Sequence, residues 1–271
     1  MFQGLSIFLF LLTWLQVVQL GASFQQVCEK NRKASFFTTD HLNNWYVVDK
    51  NMLIKYNSRC NQEASYSKAP AYTFDQVDVT DPLKILVFSK DFNQLFFLNN
   101  QLAEISDPVA LDNYGYYAVG AVCTSASGGF WIFDQSTLQL VYFNHELKEQ
   151  RKSAHLGSFF GQGADASTLL LREKNDYLYL GIPQEGILQF DLYGSYIRTL
   201  PVKFESDFQV VNQKLIFYRP GRLFFYDMQT FEEQSLDLPV EQAVNARLEN
   251  QRIYIQQKNK LVIYQWQNEN K

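Results

Sequence analysis

The sequence predicts an all-β fold, a six-bladed β-propeller in which each blade is a four-stranded antiparallel sheet. Three observations support this prediction. Short runs of β-branched and aromatic residues alternate with turns made of Gly, Pro, Asn and Asp. The runs recur in six similar units, whose third strands begin at Leu53, Leu95, Leu140, Ile187, Leu223 and Leu261. A period of about 40 residues with four strands in each period is typical of propeller blades.

The predicted strands follow the chain in order. In the first three units they cover residues 36–40, 45–49, 53–57 and 63–66, then 77–80, 85–88, 95–99 and 102–105, then 119–123, 130–134, 140–144 and 147–151. In the next two units they cover residues 168–171, 177–180, 187–191 and 196–200, then 208–211, 215–218, 223–227 and 233–238. The inner strands lack a clean polar alternation, which indicates that both faces of each sheet are buried against neighbouring sheets.

The sixth unit has three predicted strands, at 244–248, 253–255 and 261–264, before the sequence ends. A spare segment at 24–33 can supply its fourth strand. Pairing of the two ends of the chain would close the ring and remove the last open sheet edges, which otherwise promote aggregation. We therefore expect residues 24–271 to form a single propeller domain whose last blade is completed by an N-terminal strand.

Residues 1–23 predict a secretory signal peptide. They contain no charged side chain, residues 7–12 are wholly apolar, and Gly21-Ala22-Ser23 offers small residues to a signal peptidase. The apolar core is too short to cross roughly 30 Å of hydrocarbon, although the missing Lys or Arg before it leaves an uncleaved anchor as the alternative. Gln25-Gln26-Val27 precedes Cys28, so a lipoprotein signal is absent. We expect a secreted or periplasmic protein with no membrane span in its mature form.

Composition and cysteine content exclude several classes of function. The net charge of −4 provides no basic surface for a phosphate backbone, so we expect no nucleic-acid partner. Hydrophobic residues make up 46% and charged residues 19% of the chain, which is typical of a globular domain, and we expect a monomer. Cys28 and Cys60 could form a disulfide, or these two and Cys123 could all be small thiols. No CxxC motif is present, so a thiol redox motif or a cysteine zinc site is not expected.

Two stretches resemble a known repeat. Residues 43–57 contain Asn43-Asn44, then Tyr46-Val47-Val48-Asp49, and end at Tyr56-Asn57. This order resembles the NHL-type repeat, in which a Gly or Asn turn leads to Tyr-Val, Asp, Asn and an aromatic-Asp close, and residues 176–201 resemble it too. The whole chain is similar to uncharacterised secreted six-bladed propellers of bacteria near the NHL and TolB-like group. These motifs mark turns and packing, so the resemblance implies a fold and says little about chemistry.

Two long connecting segments, 106–118 and 153–167, form the predicted binding region. Each leads from the fourth strand of one unit to the first strand of the next, and they flank the third unit, so we expect them to meet on one face. Long loops on a rigid scaffold commonly carry binding residues, and tyrosine gives broad contact at low entropic cost. The predicted contacts to a protein or another extracellular ligand are an aromatic centre with a polar border, Asp112, Tyr114, Tyr116, Tyr117, Phe159, Phe160, Gln162 and Asp165. The alternative is that these rings cap the blade ends as additional core.

Catalytic features are sparse. Of three histidines, His41 follows Asp40 at the end of a predicted channel strand, where a base or metal ligand is plausible, although a turn residue is the simpler interpretation. No serine nucleophile elbow, P-loop or dinucleotide fingerprint occurs. We therefore expect a non-catalytic binding or scaffold propeller for a protein, glycan or peptide, with no catalytic residues, cofactor or metal. The alternative is a hydrolase or lyase with a divalent metal in the channel. Propeller lactonases, as a family, hold a metal with acidic and amide side chains that converge on the channel, and in this chain Asp78, Asp207 and Asn245 could converge there.

Overall fold

The computed structural model describes residues 18–19, 22–161, 168–183 and 185–268. These residues form six blades arranged as a propeller ring, which confirms the predicted fold. The four strands of each blade run outward from the central channel in chain order, except that blade 6 takes its outermost strand from the N-terminal region. Most of the predicted signal peptide, residues 1–17 and 20–21, lies outside the described ranges. Within those ranges no helix is long and apolar enough to span a membrane.

Two N-terminal strands precede the blades, β1 (Val18–Gln19) and β2 (Ala22–Lys30). The strands of blades 1 to 3 are, in order from the channel, β3 (Phe36–Thr39), β4 (Trp45–Asp49), β5 (Met52–Tyr56) and β6 (Gln62–Ser67); β7 (Gln76–Asp78), β8 (Ile85–Ser89), β9 (Gln94–Leu98) and β10 (Val109–Ala110); and β11 (Val119–Thr124), β12 (Phe130–Asp134), β13 (Gln139–Phe143) and β14 (Glu149–Lys152).

Blades 4 to 6 follow the same plan. Their strands are β15 (Leu170–Lys174), β16 (Tyr177–Ile182), β17 (Gly186–Asp191) and β18 (Tyr196–Leu200); β19 (Phe208–Val211), β20 (Lys214–Arg219), β21 (Arg222–Asp227) and β22 (Glu233–Asp237); and β23 (Ala243–Glu249), β24 (Arg252–Gln257) and β25 (Lys260–Asn268). Two short 3-10 helices, Leu111–Tyr114 and Gly157–Phe159, lie in the long connecting segments.

An Asn or Asp side chain holds the turn after the third strand in each of the first five blades. In blade 1, Asn57 Oδ1 accepts hydrogen bonds from the backbone N–H groups of Arg59 at 2.9 Å and Asn61 at 3.0 Å. Equivalent pairs of bonds form at Asn99, Asn144 and Asp191, and Asp227 Oδ1 accepts the N–H groups of Gln229 and Thr230. The recurrent Asn or Asp of the sequence therefore specifies the turn between the two outer strands.

The N-terminal strand closes the ring as predicted. Strand β2 pairs antiparallel with β25, in a register that runs from Ala22 opposite Asn268 to Lys30 opposite Leu261. It begins two residues before the predicted domain start at Phe24 and ends three residues before Lys33. The pairing supplies the fourth strand of blade 6 and covers the edge of β25, which would otherwise remain open.

A disulfide adds a covalent link at the same junction. Cys28 in β2 is bonded to Cys60, which lies in the turn after β5 of blade 1, while Cys123 is a buried free cysteine. The sequence left this pairing open, because spacing alone does not determine which cysteines approach each other. The bond connects blade 6 to blade 1, where the ring closes.

Removal of the disulfide should weaken this closure. We expect a protein carrying both Cys28→Ala and Cys60→Ala to lose about 3–4 kcal/mol of unfolding free energy, because the bond constrains the unfolded chain across a separation of 32 residues. Urea unfolding measures the loss. A reducing agent should lower the stability of the wild-type protein to the same level and leave the double variant unchanged. Equal stability of variant and oxidised wild type would contradict the prediction.

The outer edge of blade 2 differs from the sequence prediction. Residues 102–105 were expected to form its fourth strand, but β10 is that strand, and only an isolated bridge joins Glu104 to Leu98. Leu102 has a left-handed backbone with φ of 58° and belongs to the turn held by Asn99. Pro108 follows, and its nitrogen cannot donate to a strand ladder. Pairing is therefore interrupted until Val109.

Blade 5 has an additional outer strand that the sequence did not indicate. Strand β1 lies parallel to β22, with Val18 opposite Gln234 and Gln19 opposite Ser235. The blade is thereby extended to five strands by residues that the sequence assigns to the signal peptide, so removal of that peptide would return it to four.

Hydrophobic clusters fill the space between neighbouring blades, as the lack of polar alternation predicted. Between blades 3 and 4, for example, Trp131, Phe133, Leu178 and Leu180 are buried in one cluster. Burial of one such side chain contributes roughly 1.5–3 kcal/mol. The stacked blades hold the innermost strands in a ring around the channel.

Candidate functional site

The central channel is lined by the innermost strands of the blades. It contains two cavities, of about 540 Å³ and 220 Å³. The larger is lined by residues at the beginning of these strands and the smaller by residues at their ends, so the cavities lie toward opposite faces of the ring. Thr38, Asp78 and Arg172 line both cavities and therefore lie between them.

A carboxylate in the channel lies between two guanidinium groups. Asp207, just before β19, receives Arg172 Nη2 at 2.5 Å on Oδ1 and Arg247 Nη1 on Oδ2. The Arg247 side chain is 7% exposed and the Asp207 side chain 13%. Burial alone would raise the pKa of Asp207, but Arg247 and Arg172 outweigh it and hold the pKa below its ordinary value of 3.8. Asp207 is therefore a carboxylate at neutral pH.

The two arginines connect four blades through further hydrogen bonds. Arg172 of blade 4 also donates from Nε to the carbonyl of Phe208 in blade 5 at 2.8 Å. Arg247 of blade 6 donates from Nε to Thr39 Oγ1 of blade 1 at 3.2 Å. Burial lowers the pKa of Arg247, with Asp207 opposing the change, yet an arginine retains its charge under such conditions. We call Arg172, Asp207 and Arg247 the channel brace.

Two polar residues of blade 2 make the corresponding connections on the other side of the channel. Asp78 Oδ2 accepts bonds from the backbone N–H and the Oγ1 of Thr124 in blade 3, both at 2.8 Å. The Gln76 amide donates to the carbonyls of Gly120 and Leu169 and accepts from the N–H of Val122. These side chains satisfy backbone groups of neighbouring blades.

The three residues suggested for a channel metal do line one cavity, but their oxygens have other partners. Asp207 is paired with two arginines, Asp78 with Thr124, and Asn245 Oδ1 accepts the N–H of Ala246 at 2.8 Å. The positive guanidinium group of Arg172 in the same cavity opposes the binding of a cation. Across the described ranges no cluster of three or more His, Cys, Asp and Glu side chains could hold a metal ion.

Asp40 and His41 form a turn at the end of the innermost strand of blade 1. The Asp40 carboxylate accepts bonds from the N–H groups of Leu42 and Asn44 and from Tyr46 Oη. His41 lines the smaller cavity, and its carbonyl accepts a bond from Asn250 Nδ2 at 2.7 Å. The carboxylate that would orient this histidine is thus used to hold the turn.

The first predicted binding segment divides into anchored and exposed residues. Tyr116 is 7% exposed, contacts Phe143 edge-on at 5.5 Å and donates from Oη to Glu149 at 2.5 Å. Burial and the bond to Glu149 raise the pKa of Tyr116 to about 12. Tyr114 and Tyr117 are 40% and 73% exposed. Tyr116 therefore belongs to the core between blades 2 and 3. Tyr114 also contacts Phe143 edge-on, at 5.9 Å, but remains partly exposed, and Tyr117 faces solvent.

The backbone of this segment is fixed by Asn93 in the preceding blade. Asn93 Nδ2 donates to Asp112 Oδ1 and to the carbonyl of Tyr116, both at 2.5 Å. Asp112 thus positions the segment. Tyr114 and Tyr117 lie on either side of the anchored Tyr116 in the sequence.

The second predicted segment packs closely on blades 3 and 4. Phe159 contacts Tyr196 with ring centroids 4.6 Å apart, and Phe160 stacks on Phe133 at 5.5 Å. Both phenylalanines are half-buried. Gln162 and Asp165 lie outside the described residues. The rings of the two segments thus pack against different partners.

Sequence reasoning missed the channel brace and the polar bonds of Gln76. Asp207 was identified as a channel residue, but Arg172 and Arg247 were not connected with it. The available signal was a charged residue within an innermost strand, as in Leu171-Arg172-Glu173 and Ala246-Arg247-Leu248. A buried charge in such a position requires a partner from another blade.

No protein-family model matches the sequence, and no curated protein matches it. Solved structures share its architecture. BamB from Moraxella catarrhalis is 11% identical with a TM-score of 0.56 over 90% of this chain and 100% of its own. Virginiamycin B lyase from Staphylococcus aureus is 9% identical with a TM-score of 0.57 over 91% and 99%. A protein of unknown function from Bacteroides thetaiotaomicron is 9% identical with a TM-score of 0.62 over 93% and 75%. At such identities the similarity establishes the fold alone.

Proposed function

We propose that the chain is a non-catalytic binding propeller of the NHL/TolB-like type whose protein partner contacts the surface around Tyr114 and Tyr117. The observation that carries this proposal is the exposure of two tyrosines on a segment that the molecule holds rigid. Tyr114 and Tyr117 are 40% and 73% exposed. The segment that carries them is held at Asp112 and at the carbonyl of Tyr116, both of which accept hydrogen bonds from Asn93. A preorganised aromatic surface loses little entropy when a partner binds.

The channel supports a structural rather than a catalytic role. A general base or metal ligand must present a free lone pair to the substrate or ion. Asp207 and Asp78 direct theirs to protein donors, and both oxygens of Asp207 are taken up by the two guanidinium groups of the channel brace. Its charges connect blades and so keep the outer loops in position.

We further propose that the protein is exported. Structural disulfides form and persist in oxidising compartments. The bond between Cys28 and Cys60 agrees with the uncharged apolar leader at residues 1–23. The protein would act outside the cell or in a periplasm.

Site-specific photo-crosslinking tests the partner surface. A photoreactive amino acid at position 117 should give one discrete adduct with a partner in an extract of the cell envelope. The matched control is position 193, because Tyr193 is equally exposed, at 72%, on a different blade. Tyr117→Ala should abolish co-purification of the same partner and leave the melting temperature unchanged. The absence of an adduct at 117, or the same adduct at both positions, would refute the proposal.

The alternative function is a hydrolase or lyase with a divalent metal in the channel. One observation favours it, namely that Asp78, Asp207 and Asn245 line a single cavity of about 540 Å³. A metal would have to displace Arg172 and Arg247 from Asp207 and Thr124 from Asp78. Breaking buried charge pairs costs several kcal/mol, so this function ranks second.

A further inference from the structure

A groove between blades 4 and 5 is not used by the proposed protein contact. It has a volume of about 720 Å³. Its residues come from the three outer strands of blade 4 and from turns of blades 4 and 5. They include Tyr177, Gln189, Ile197, Arg198, Asn212 and Gln229.

Aromatic rings and one hydrogen-bond chain form the wall of this groove on blade 4. Tyr177 is 39% exposed, and its ring lies 6.5 Å from that of the buried Tyr179. Gln189 donates from Nε2 to Tyr179 Oη at 3.3 Å and accepts Arg198 Nε on Oε1 at 2.7 Å. Arg198 Nη1 then donates to the carbonyl of Met228 in blade 5 at 3.0 Å. The wall is thus fixed across both blades.

Amide side chains occupy the opposite wall. Asn212, Gln213 and Gln229 are exposed, and within the described part of the chain their side-chain amides have no hydrogen-bond partner. Their backbones are held: the N–H of Gln229 donates to Asp227 Oδ1 at 2.9 Å, and the carbonyl of Asn212 accepts Asn175 Nδ2 at 2.7 Å. The groove therefore offers three exposed amides, two of them on backbone held by hydrogen bonds, opposite an exposed ring.

We propose that this groove binds a neutral oligosaccharide. Each amide presents a donor beside an acceptor, a pair that matches adjacent sugar hydroxyls. The face of Tyr177 can pack against the C–H face of a pyranose ring. Such a site, with an aromatic surface and a few fixed polar groups, agrees with the general anatomy of small-ligand pockets.

Charge favours a neutral sugar over an acidic ligand. Arg198 is the charged side chain that lines the groove, and two of its nitrogens are occupied by Gln189 and Met228. The surroundings thus provide little field for a polyanion. A peptide would need apolar pockets for its side chains. The aliphatic residues of the groove do not form one, because Ile197 projects into solvent and Met228 is buried in the core.

Isothermal titration calorimetry with neutral hexasaccharides tests this inference. The probes are cellohexaose, xylohexaose, mannohexaose, maltohexaose and chitohexaose, each at millimolar concentration. We expect at least one to bind, and Tyr177→Ala and Gln229→Ala each to weaken that binding by about tenfold or more. Photo-crosslinking at position 117 should continue in both variants, so the two proposals can fail separately.

Two matched controls separate the groove from general surface effects. Tyr193→Ala removes another exposed tyrosine of blade 4, and Gln101→Ala removes a glutamine at the corresponding turn position of blade 2, where its N–H donates to Asn99 at 2.9 Å. Both should leave the affinity for the sugar unchanged. The inference is overturned if no hexasaccharide binds, if binding survives Tyr177→Ala and Gln229→Ala, or if only a neutral hexapeptide probe binds in the groove.

Discussion

Deletion of residues 23–33 is expected to prevent the protein from remaining a folded monomer. The deletion removes nearly all of β2 and exposes the edge of β25 that β2 covers, from Leu261 to Asn268. It also eliminates Cys28 and hence the disulfide to Cys60. An open edge strand of this length is a template for pairing with another chain. Size-exclusion chromatography and thermal melting should show aggregation or a large loss of melting temperature.

A permuted chain provides the control for this deletion. If residues 22–33 are moved behind Asn268 through a short turn, they can form a hairpin with β25 in the same antiparallel register. This protein should recover the monomeric state and most of the lost stability. A simple deletion that remains monomeric with an unchanged melting temperature would show that β2 is dispensable for ring closure.

Substitution of Asp207 is expected to produce the largest loss of stability among single changes in the channel. Asp207→Ala leaves Arg172 and Arg247 as unpaired, largely buried positive charges. Removal of one member of a buried ion pair typically costs about 3–5 kcal/mol. The triple variant Asp207→Asn, Arg172→Gln and Arg247→Gln removes all three charges and should recover much of this loss. Urea unfolding of the two variants compares them directly, and a neutral effect of Asp207→Ala would contradict the channel brace.

The same carboxylate makes the stability of the protein dependent on acid pH. Because the pKa of Asp207 is lower in the folded chain than its ordinary value of 3.8, its contribution is complete above that value and is lost as the pH falls through the folded pKa. The wild-type protein should therefore lose stability in strongly acidic solution, and Asp207→Asn should show a smaller loss over the same range. Parallel stability curves for the two proteins would contradict this assignment.

Much of the fold follows from residues whose effect is local. Asn57, Asn144 and Asp191 each follow a strand and hold a turn through their own side chains, so they reveal the repeat directly in the sequence. The absence of a fourth strand after β25 is also visible in the sequence, and it pointed to the N-terminal segment as the missing strand. Pro108 could have corrected the position of the outer strand in blade 2, since its nitrogen cannot join a ladder.

The parts that sequence reasoning missed depend on contacts between distant residues. Asp207 receives its two partners from blades 4 and 6, and Tyr116 is buried because Glu149 and Phe143 of the next blade meet its ring and hydroxyl. The pairing of Cys28 with Cys60 likewise depends on how the ring closes. No local pattern encodes such approaches, so the predicted binding residues divided into exposed and buried ones only in the folded chain.

The metal content of the purified protein tests the central claim most directly, because the claim is that the channel is a structural brace and that binding occurs outside it. The protein is purified from an exported preparation without chelators and measured by inductively coupled plasma mass spectrometry. We predict no stoichiometric divalent metal, since Arg172 and Arg247 occupy Asp207 and Thr124 occupies Asp78. One divalent ion per chain that is lost in Asp78→Asn would contradict the account and place the chemistry in the channel.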